Sequence, residues 1–275
     1  MKTWIITGCS SGLGKSLAET ALQGGDNVVI TARHLSDITD IASRYPDKAL
    51  ACELDVTVPA QITAVVNATL QRFGSIDVVV NNAGYGYRSA VEEGDEEDIT
   101  ALFDTNVFGP VRLIKAVLPG MRALKKGTII NVSSIGARRT PPGSGYYSAT
   151  KSALESISEG LRKEVKPLGI DVIIVEPGGF RTNFGGRSLK QSPYAIADYA
   201  DTAGLRRKEN DKTHGHQAGD PSKAAQIIVE VVNGNAKPAR LLLGSDAVKV
   251  VTDELRTQLE EISTWKNISV RTDFD

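Results

Sequence analysis

Several scarcities narrow the reading before any motif is considered. The 275-residue chain has two cysteines, Cys9 and Cys52, and a chain of this length builds a core that needs no disulfide. A reducing compartment, the cytoplasm, is therefore expected. The three histidines, His34, His214 and His216, lack the spacing of a metalloprotease site, so no metal is expected. No apolar run approaches bilayer length, and the opening Thr3-Trp4-Ile5-Ile6-Thr7 has none of the charge and apolar order of a leader. A formal net charge of −1 provides neither a basic field for nucleic acid nor a polybasic patch for a membrane surface. What remains is an ordinary globular balance, 41% hydrophobic and 24% charged, which favours small-molecule chemistry.

Short β-branched runs alternate with longer amphipathic stretches. The expected strands are Trp4 to Thr7, Val28 to Thr31, Ala49 to Leu54, Val78 to Val80, Thr128 to Val132, Val172 to Val175 and Arg240 to Leu243. These runs are nearly all apolar, as strands covered on both faces must be. The clearest helical patterns are Lys15 to Gln23, Ala60 to Phe73, Val111 to Leu124, Ser148 to Leu168 and Ser222 to Val232. Right-handed crossovers between such elements give an α/β fold: one Rossmann-like, doubly wound parallel sheet of about seven strands flanked by helices. A single domain over 1–275 is expected, with a core at 2–245, a Gly- and Ser-rich substrate lid at 179–220 and a C-terminal extension at 246–275. The sequon at Asn131 falls in an expected buried strand, and those at Asn67 and Asn267 are read as chance.

The first strand runs into Thr7-Gly8-Cys9-Ser10-Ser11-Gly12-Leu13-Gly14 and then a helix. Glycines allow close backbone approach to a pyrophosphate, and a helix N-terminus offers free N–H groups with a positive dipole end. Gly8, Ser10, Ser11, Gly12, Leu13 and Gly14 are therefore candidate cofactor residues, although such a turn also occurs without a ligand. At the end of the second strand, where a carboxylate would bind the ribose hydroxyls of NAD, the chain has Thr31-Ala32-Arg33. Arg33 can pair with the extra phosphate of NADP through its planar fork, and Ser10 can add a hydroxyl. The expected cofactor is NADP(H), preferred over NAD(H). Asp55 and Val56 follow the third strand, and Asn82, Ala83 and Gly84 the fourth, all at the carboxyl edge where ligands bind in open sheets. Asp55 can accept from the adenine amino group. Asn82, Ala83 and Gly84 can line the adenine ribose or form a plain turn.

Tyr147 and Lys151 are four residues apart at the start of a helical pattern, so both lie on one face. Ser134 stands at the end of the preceding strand, and Asn106 precedes the helix that leads into that strand. This ordered set, with Thr7 to Gly14, Asp55, Asn81 to Gly84 and Pro177-Gly178 with Thr182, resembles the short-chain dehydrogenase/reductase family from about Lys2 to Leu243. The stretches Thr7 to Gly14 and Val175 to Thr182 also resemble members acting on steroids, retinoids and related apolar carbonyls.

The resemblance implies an oxidoreductase moving a hydride between NADP(H) and a secondary alcohol/ketone pair, acting as a carbonyl reductase. Tyr147 is then the general acid, helped toward phenolate by the Lys151 ammonium, and Ser134 steadies the substrate oxygen. Lys151 also donates to the nicotinamide ribose. The resemblance further implies that Asn106 holds a water linked to Lys151, and that Pro177, Gly178 and Thr182 hold the carboxamide side of the nicotinamide. It implies a homodimer or homotetramer built on Val111 to Leu124 and Ser148 to Leu168. Tyr85, Tyr87, Phe180 and Tyr194 can line an apolar pocket, the reading favoured over an acidic substrate met by Arg138 and Arg139. The acidic run Glu92 to Asp98 is read as the start of a helix rather than a cation site. Two alternatives stand beside the reductase. A silent dinucleotide sensor or scaffold would have no use for Ser134, Tyr147 and Lys151 together. A sugar-nucleotide epimerase or dehydratase would have another glycine spacing and a larger C-terminal region.

Overall fold

The apolar runs become strands because both of their faces are covered. In β1, Trp4 and Ile6 enter one core with Val28, Ile30, Val78, Val80, Ile130 and Val175, while Ile5 enters the other with Val29, Val79, Ile129 and Val172. Alternate residues therefore point to opposite cores, the period-two geometry of a strand. The computed structural model describes residues 1–186, 188–213 and 215–274, with the side chains of 209–213 left aside.

In chain order the elements are β1 (Thr3–Ile6), α1 (Gly12–Gln23), β2 (Asn27–Ala32), α2 (Thr39–Ser43), β3 (Ala49–Glu53), α3 (Pro59–Phe73), β4 (Val78–Asn81) and β5 (Gly86–Arg88). There follow α4 (Glu96–Phe103), α5 (Gly109–Leu124), β6 (Gly127–Val132), α6 (Gly145–Val165), β7 (Ile170–Pro177), β8 (Leu189–Gln191), α7 (Ala203–Thr213), α8 (Pro221–Asn233), β9 (Arg240–Leu243) and α9 (Ser245–Ser269). The main sheet has seven strands in the order β3-β2-β1-β4-β6-β7-β9, every pair parallel. The order reverses at β1 and β4, and that switch point opens the crevice in which such sheets bind ligands. Helices α1 and α8 supply Leu17, Ala21, Ala224 and Ile228 to one core, and α3, α5 and α6 supply Val65, Leu113, Val117 and Leu161 to the other.

Three features go beyond the sequence reading. The segment after β7 contains β8, which pairs in parallel with β5 as a separate two-stranded sheet. Most of the C-terminal extension is a single helix, α9, which runs to Ser269. Between α4 and α5 the helix opens into a π-helical turn, Asp104–Phe108. No helix among the described residues is long and apolar enough to cross a membrane.

Candidate active site

All of the expected site residues stand at the carboxyl edge of the sheet. Gly8 to Gly14 bridge β1 and α1. Arg33 follows β2, Asp55 and Val56 follow β3, and Asn82 to Gly84 follow β4. Ser134 follows β6, Tyr147 and Lys151 occupy the first turns of α6, and Pro177, Gly178 and Thr182 lie at and beyond the end of β7.

The glycine turn is built for close approach. Gly12 has φ +58°, and a β-carbon at Gly14 would lie 2.4 Å from both Gly8 O and Asn82 Nδ2. No side chain caps the N-terminus of α1, and its first turn has no acid. The cradle therefore fits an anionic pyrophosphate. Thr7 braces it from beneath: its Oγ1 accepts from Asn82 N and Ala83 N, each at 2.9 Å. The Asn82 amide donates to Thr7 O at 2.8 Å and Gly8 O at 3.1 Å. Its side chain thus buttresses the glycine turn.

Arg33 and Ser10 are exposed at the same edge, and Arg33 has no ion-pair partner among the described residues. A 2′-phosphate fits an arginine in that position. Asp55 Oδ1 accepts from Thr57 N at 2.9 Å and Thr57 Oγ1 at 2.6 Å, which fixes the carboxylate at the crevice. Val56 is buried against Gly109 at the start of α5. Thr182 closes over the glycine turn, its Cβ 3.2 Å from where a Gly12 β-carbon would be.

At the other end of the crevice, Tyr147 and Lys151 are both buried. Lys151 Nζ donates to Val132 O at 2.9 Å and lies 5.9 Å from the Tyr147 ring centroid. Burial pushes the Lys151 ammonium down to about 8, against a smaller upward pull from Glu155. Burial raises the Tyr147 phenol above its ordinary value, opposed by the Ser134 hydroxyl and the positive charge of Arg88. A β-carbon at Gly136 would sit 3.3 Å from both Ser134 Oγ and Tyr147 Cε1, so the two side chains share one small space.

The π-helical turn carries Asn106 inward to full burial. Its Oδ1 accepts from Tyr85 N at 3.1 Å, and its Nδ2 donates to Tyr85 O at 3.0 Å and Thr150 Oγ1 at 3.1 Å. Asn106 Oδ1 and Lys151 Nζ both face Gly84, at 2.9 and 3.5 Å from the place of its missing β-carbon.

The expected apolar wall is assembled differently from the sequence reading. Tyr87 is buried, with its hydroxyl accepting from Asp95 N at 3.1 Å. Tyr194 is 58% exposed, and Phe180 packs on the core cluster. Tyr85 remains half-buried near the site. Phe184, which the sequence reading missed, lies with its ring centroid 5.8 Å from that of Tyr147 and shares the space over Gly86 with Leu189. Arg88, at the end of β5, was also missed, although its positive charge bears on Tyr147. Arg138 turns away toward Glu155 and Glu176 at 3.8 and 3.7 Å. In the acidic run, the Asp95 side chain caps α4 by accepting from Asp98 N, as a helix start should. Among the described residues no group of three or more His, Cys, Asp and Glu is placed to hold a metal, and His214 lies outside them.

Residues 2–192 match the family described as short chain dehydrogenase. The chain belongs to the short-chain dehydrogenase/reductase family. Among its relatives, an oxidoreductase of Botryotinia fuckeliana named BOA17 is 38% identical over 270 residues, covering 98% of each chain. A 3-ketodihydrosphingosine reductase of Bacteroides thetaiotaomicron is 36% identical over 243 residues, 87% of each. A short-chain dehydrogenase from Streptomyces avermitilis superposes with a TM-score of 0.93 at 43% identity, covering 99% of this chain and 100% of that one. The chain is thus an oxidoreductase with the dinucleotide-binding fold of its family. Two solved structures at 26% identity, each with a TM-score of 0.74, hold NADP in one complex and NADH in the other.

Proposed function

We propose that this short-chain dehydrogenase is an NADP(H)-preferring carbonyl reductase acting on a largely apolar ketone, or its secondary alcohol in reverse. The reading is carried by one observation: Ser134, Tyr147, Lys151 and Asn106 gather at the sheet edge that also holds the glycine turn and Arg33. The family relationship to a 3-ketodihydrosphingosine reductase and the aromatic wall at Phe184 support an apolar substrate.

The dinucleotide supplies or takes the hydride at its nicotinamide. Arg33 and Ser10 hold the 2′-phosphate, Gly8 to Gly14 with Ser11 and Leu13 the pyrophosphate, and Asp55, Val56, Asn82, Ala83 and Gly84 the adenosine side. Pro177, Gly178 and Thr182 take the carboxamide side, and Lys151 the nicotinamide ribose. Ser134 donates to the substrate oxygen and Tyr147 gives up its phenolic proton as negative charge develops there. Asn106 holds a water that returns the proton through Lys151. Residues 2–245 form the working core, 179–220 a lid over the substrate and 246–275 an extension. The two cysteines, both free, accord with a cytoplasmic enzyme, and α5 and α6 are the faces through which a dimer or tetramer would form.

The test is consumption of NADPH and NADH, followed by absorbance, against a panel of ketones graded from polar to long-chain. The expected result is NADPH-preferring turnover that improves with apolar character. Equal or better use of NADH, or a preference for anionic substrates, would overturn the respective part of the reading.

A further inference from the structure

The inner face of α6 meets the end of β6 rung by rung. Ser134 faces Tyr147, the Val132 carbonyl holds Lys151 Nζ at 2.9 Å, and Asn131 Nδ2 donates to Ser158 Oγ at 2.7 Å one step deeper. Between them Ser133 Oγ donates to Glu155 Oε1 at 2.6 Å. Tyr147, Lys151 and Glu155 are spaced at i, i+4 and i+8, and all three are buried. A carboxylate in that place is expensive unless it is partnered. Its cationic partners come from two further elements: Arg240 of β9 bonds Glu155 and also reaches Glu176 of β7 at 2.7 Å and Glu159 of α6 at 2.6 Å, while Arg138 approaches from the turn after Ser134. Neither the glycine turn nor the proton path described above uses this cluster.

We propose that Glu155 is a positioning residue for the reaction, the rung that fixes the Ser133-Ser134 strand end against α6 and places a compensating negative charge one turn from Lys151. The inference rests on the reading of Ser134, Tyr147 and Lys151 as the reacting group. Of the charged groups packed here, Glu155 on the same helix bears on Lys151 directly, Glu176 from β7, Arg240 from β9 and Arg138 from the turn surround Glu155, and Tyr147 and Arg88 stand on the pocket side. Glu155 favours the ammonium, whereas burial opposes it. Burial also raises the Glu155 carboxyl, and the Ser133 hydroxyl and Arg240 counter this while Glu176 adds to it.

The variant Glu155→Gln keeps the shape and removes the charge, Glu155→Asp keeps the charge, and Ser133→Ala removes only the hydroxyl bond. Each is followed by the pH profile of NADPH-dependent turnover and, without cofactor, by urea stability against pH relative to its own Lys151→Met double variant. In Glu155→Gln the alkaline limb and the alkaline rise in stability should both move down by about one pH unit, the lower end of the effect of a neighbouring opposite charge. Turnover then falls about fivefold near pH 8 and hardly at all near pH 6. Glu155→Asp should restore the limb, and Ser133→Ala should lower turnover without moving it. Arg138→Gln, which removes a positive charge from the same cluster at a side chain 26% exposed, should move the limb upward and so covers the case in which Glu155→Gln does not fold. Unmoved limbs in Glu155→Gln and Arg138→Gln, or an equal loss at every pH, would overturn the proposal. A wild type that turns over no ketone refutes the reductase reading instead, and the stability curves still decide whether Glu155 and Lys151 are coupled.

Discussion

Replacing Lys151 by methionine should abolish turnover and at the same time change how stability depends on pH. The ammonium is pushed by burial from an ordinary 10.5 down to about 8. The native state therefore releases its proton before the unfolded state does, and between those values the unfolded chain binds more protons. Stability must rise with pH across that window, and the full penalty of the buried ammonium is present below it. The shift corresponds to about 3 kcal/mol, of which about 2 kcal/mol is recovered between pH 7 and pH 9.5. Lys151→Met has no such term. Loss of the bond to Val132 O displaces its whole curve by about 1–3 kcal/mol without altering the slope. Burial moves the Tyr147 phenol upward, away from this window. Urea unfolding of both cofactor-free proteins in steps across this range, followed by circular dichroism, gives the difference curve. Wild type should gain about 2 kcal/mol on the variant from pH 7 to pH 9.5. Parallel curves would refute the buried, strained ammonium at the centre of the site.

Arg33→Asp should cut kcat/KM for NADPH by about 10- to 100-fold, the worth of a charge-assisted hydrogen bond, and reverse the preference toward NADH; an unchanged ratio in steady-state kinetics would remove Arg33 from the phosphate site. Gly14→Ala should abolish dinucleotide binding measured by nicotinamide fluorescence, since the new carbon meets Gly8 O at 2.4 Å; wild-type affinity would show that the turn does not approach the pyrophosphate. Glu93, whose carboxylate accepts from Ala90 N, Ile196 N and Arg207 Nη2 at 2.7–2.8 Å, ties the segment after β7 to the loop after β5. Burial works against its charge, but these bonds hold it below its ordinary value. The stability it adds is thus present at neutral pH and lost as pH falls through the lowered value. Glu93→Ala should cost about 3 kcal/mol at pH 7, less in acid, and raise KM for the ketone more than it lowers kcat; a kcat effect alone would count against a role in closing the pocket.

The main sheet was legible because strands buried on both faces leave continuous apolar runs. Val78 to Val80 and Thr128 to Val132 admit little else at that length. The pairing of Gly86–Arg88 with Leu189–Gln191 was not legible. Each strand has three residues with no apolar alternation, and the two lie about a hundred residues apart. The π-helical turn at Asp104–Phe108 leaves no compositional mark, so Asn106 was placed by family likeness while its burial came only from the fold. Tyr147 and Lys151 were readable from helical spacing. The same spacing extends to Glu155, yet a glutamate on a helix is ordinarily solvated. Only the meeting of Ser133, Glu176 and Arg240, from three different strand ends, reveals it as buried. Arg138 was counted as a possible substrate contact for the same reason, because the carboxylates that hold it are remote in sequence.

The central claim, that Tyr147 is the proton donor of an NADPH-dependent ketone reduction, is tested most directly by Tyr147→Phe. The measurement pairs an NADPH titration by fluorescence with turnover on the best ketone of the panel. The account predicts nearly unchanged NADPH affinity with turnover reduced by at least about 100-fold, the scale of a lost general acid. Turnover equal to wild type at the same affinity would contradict it.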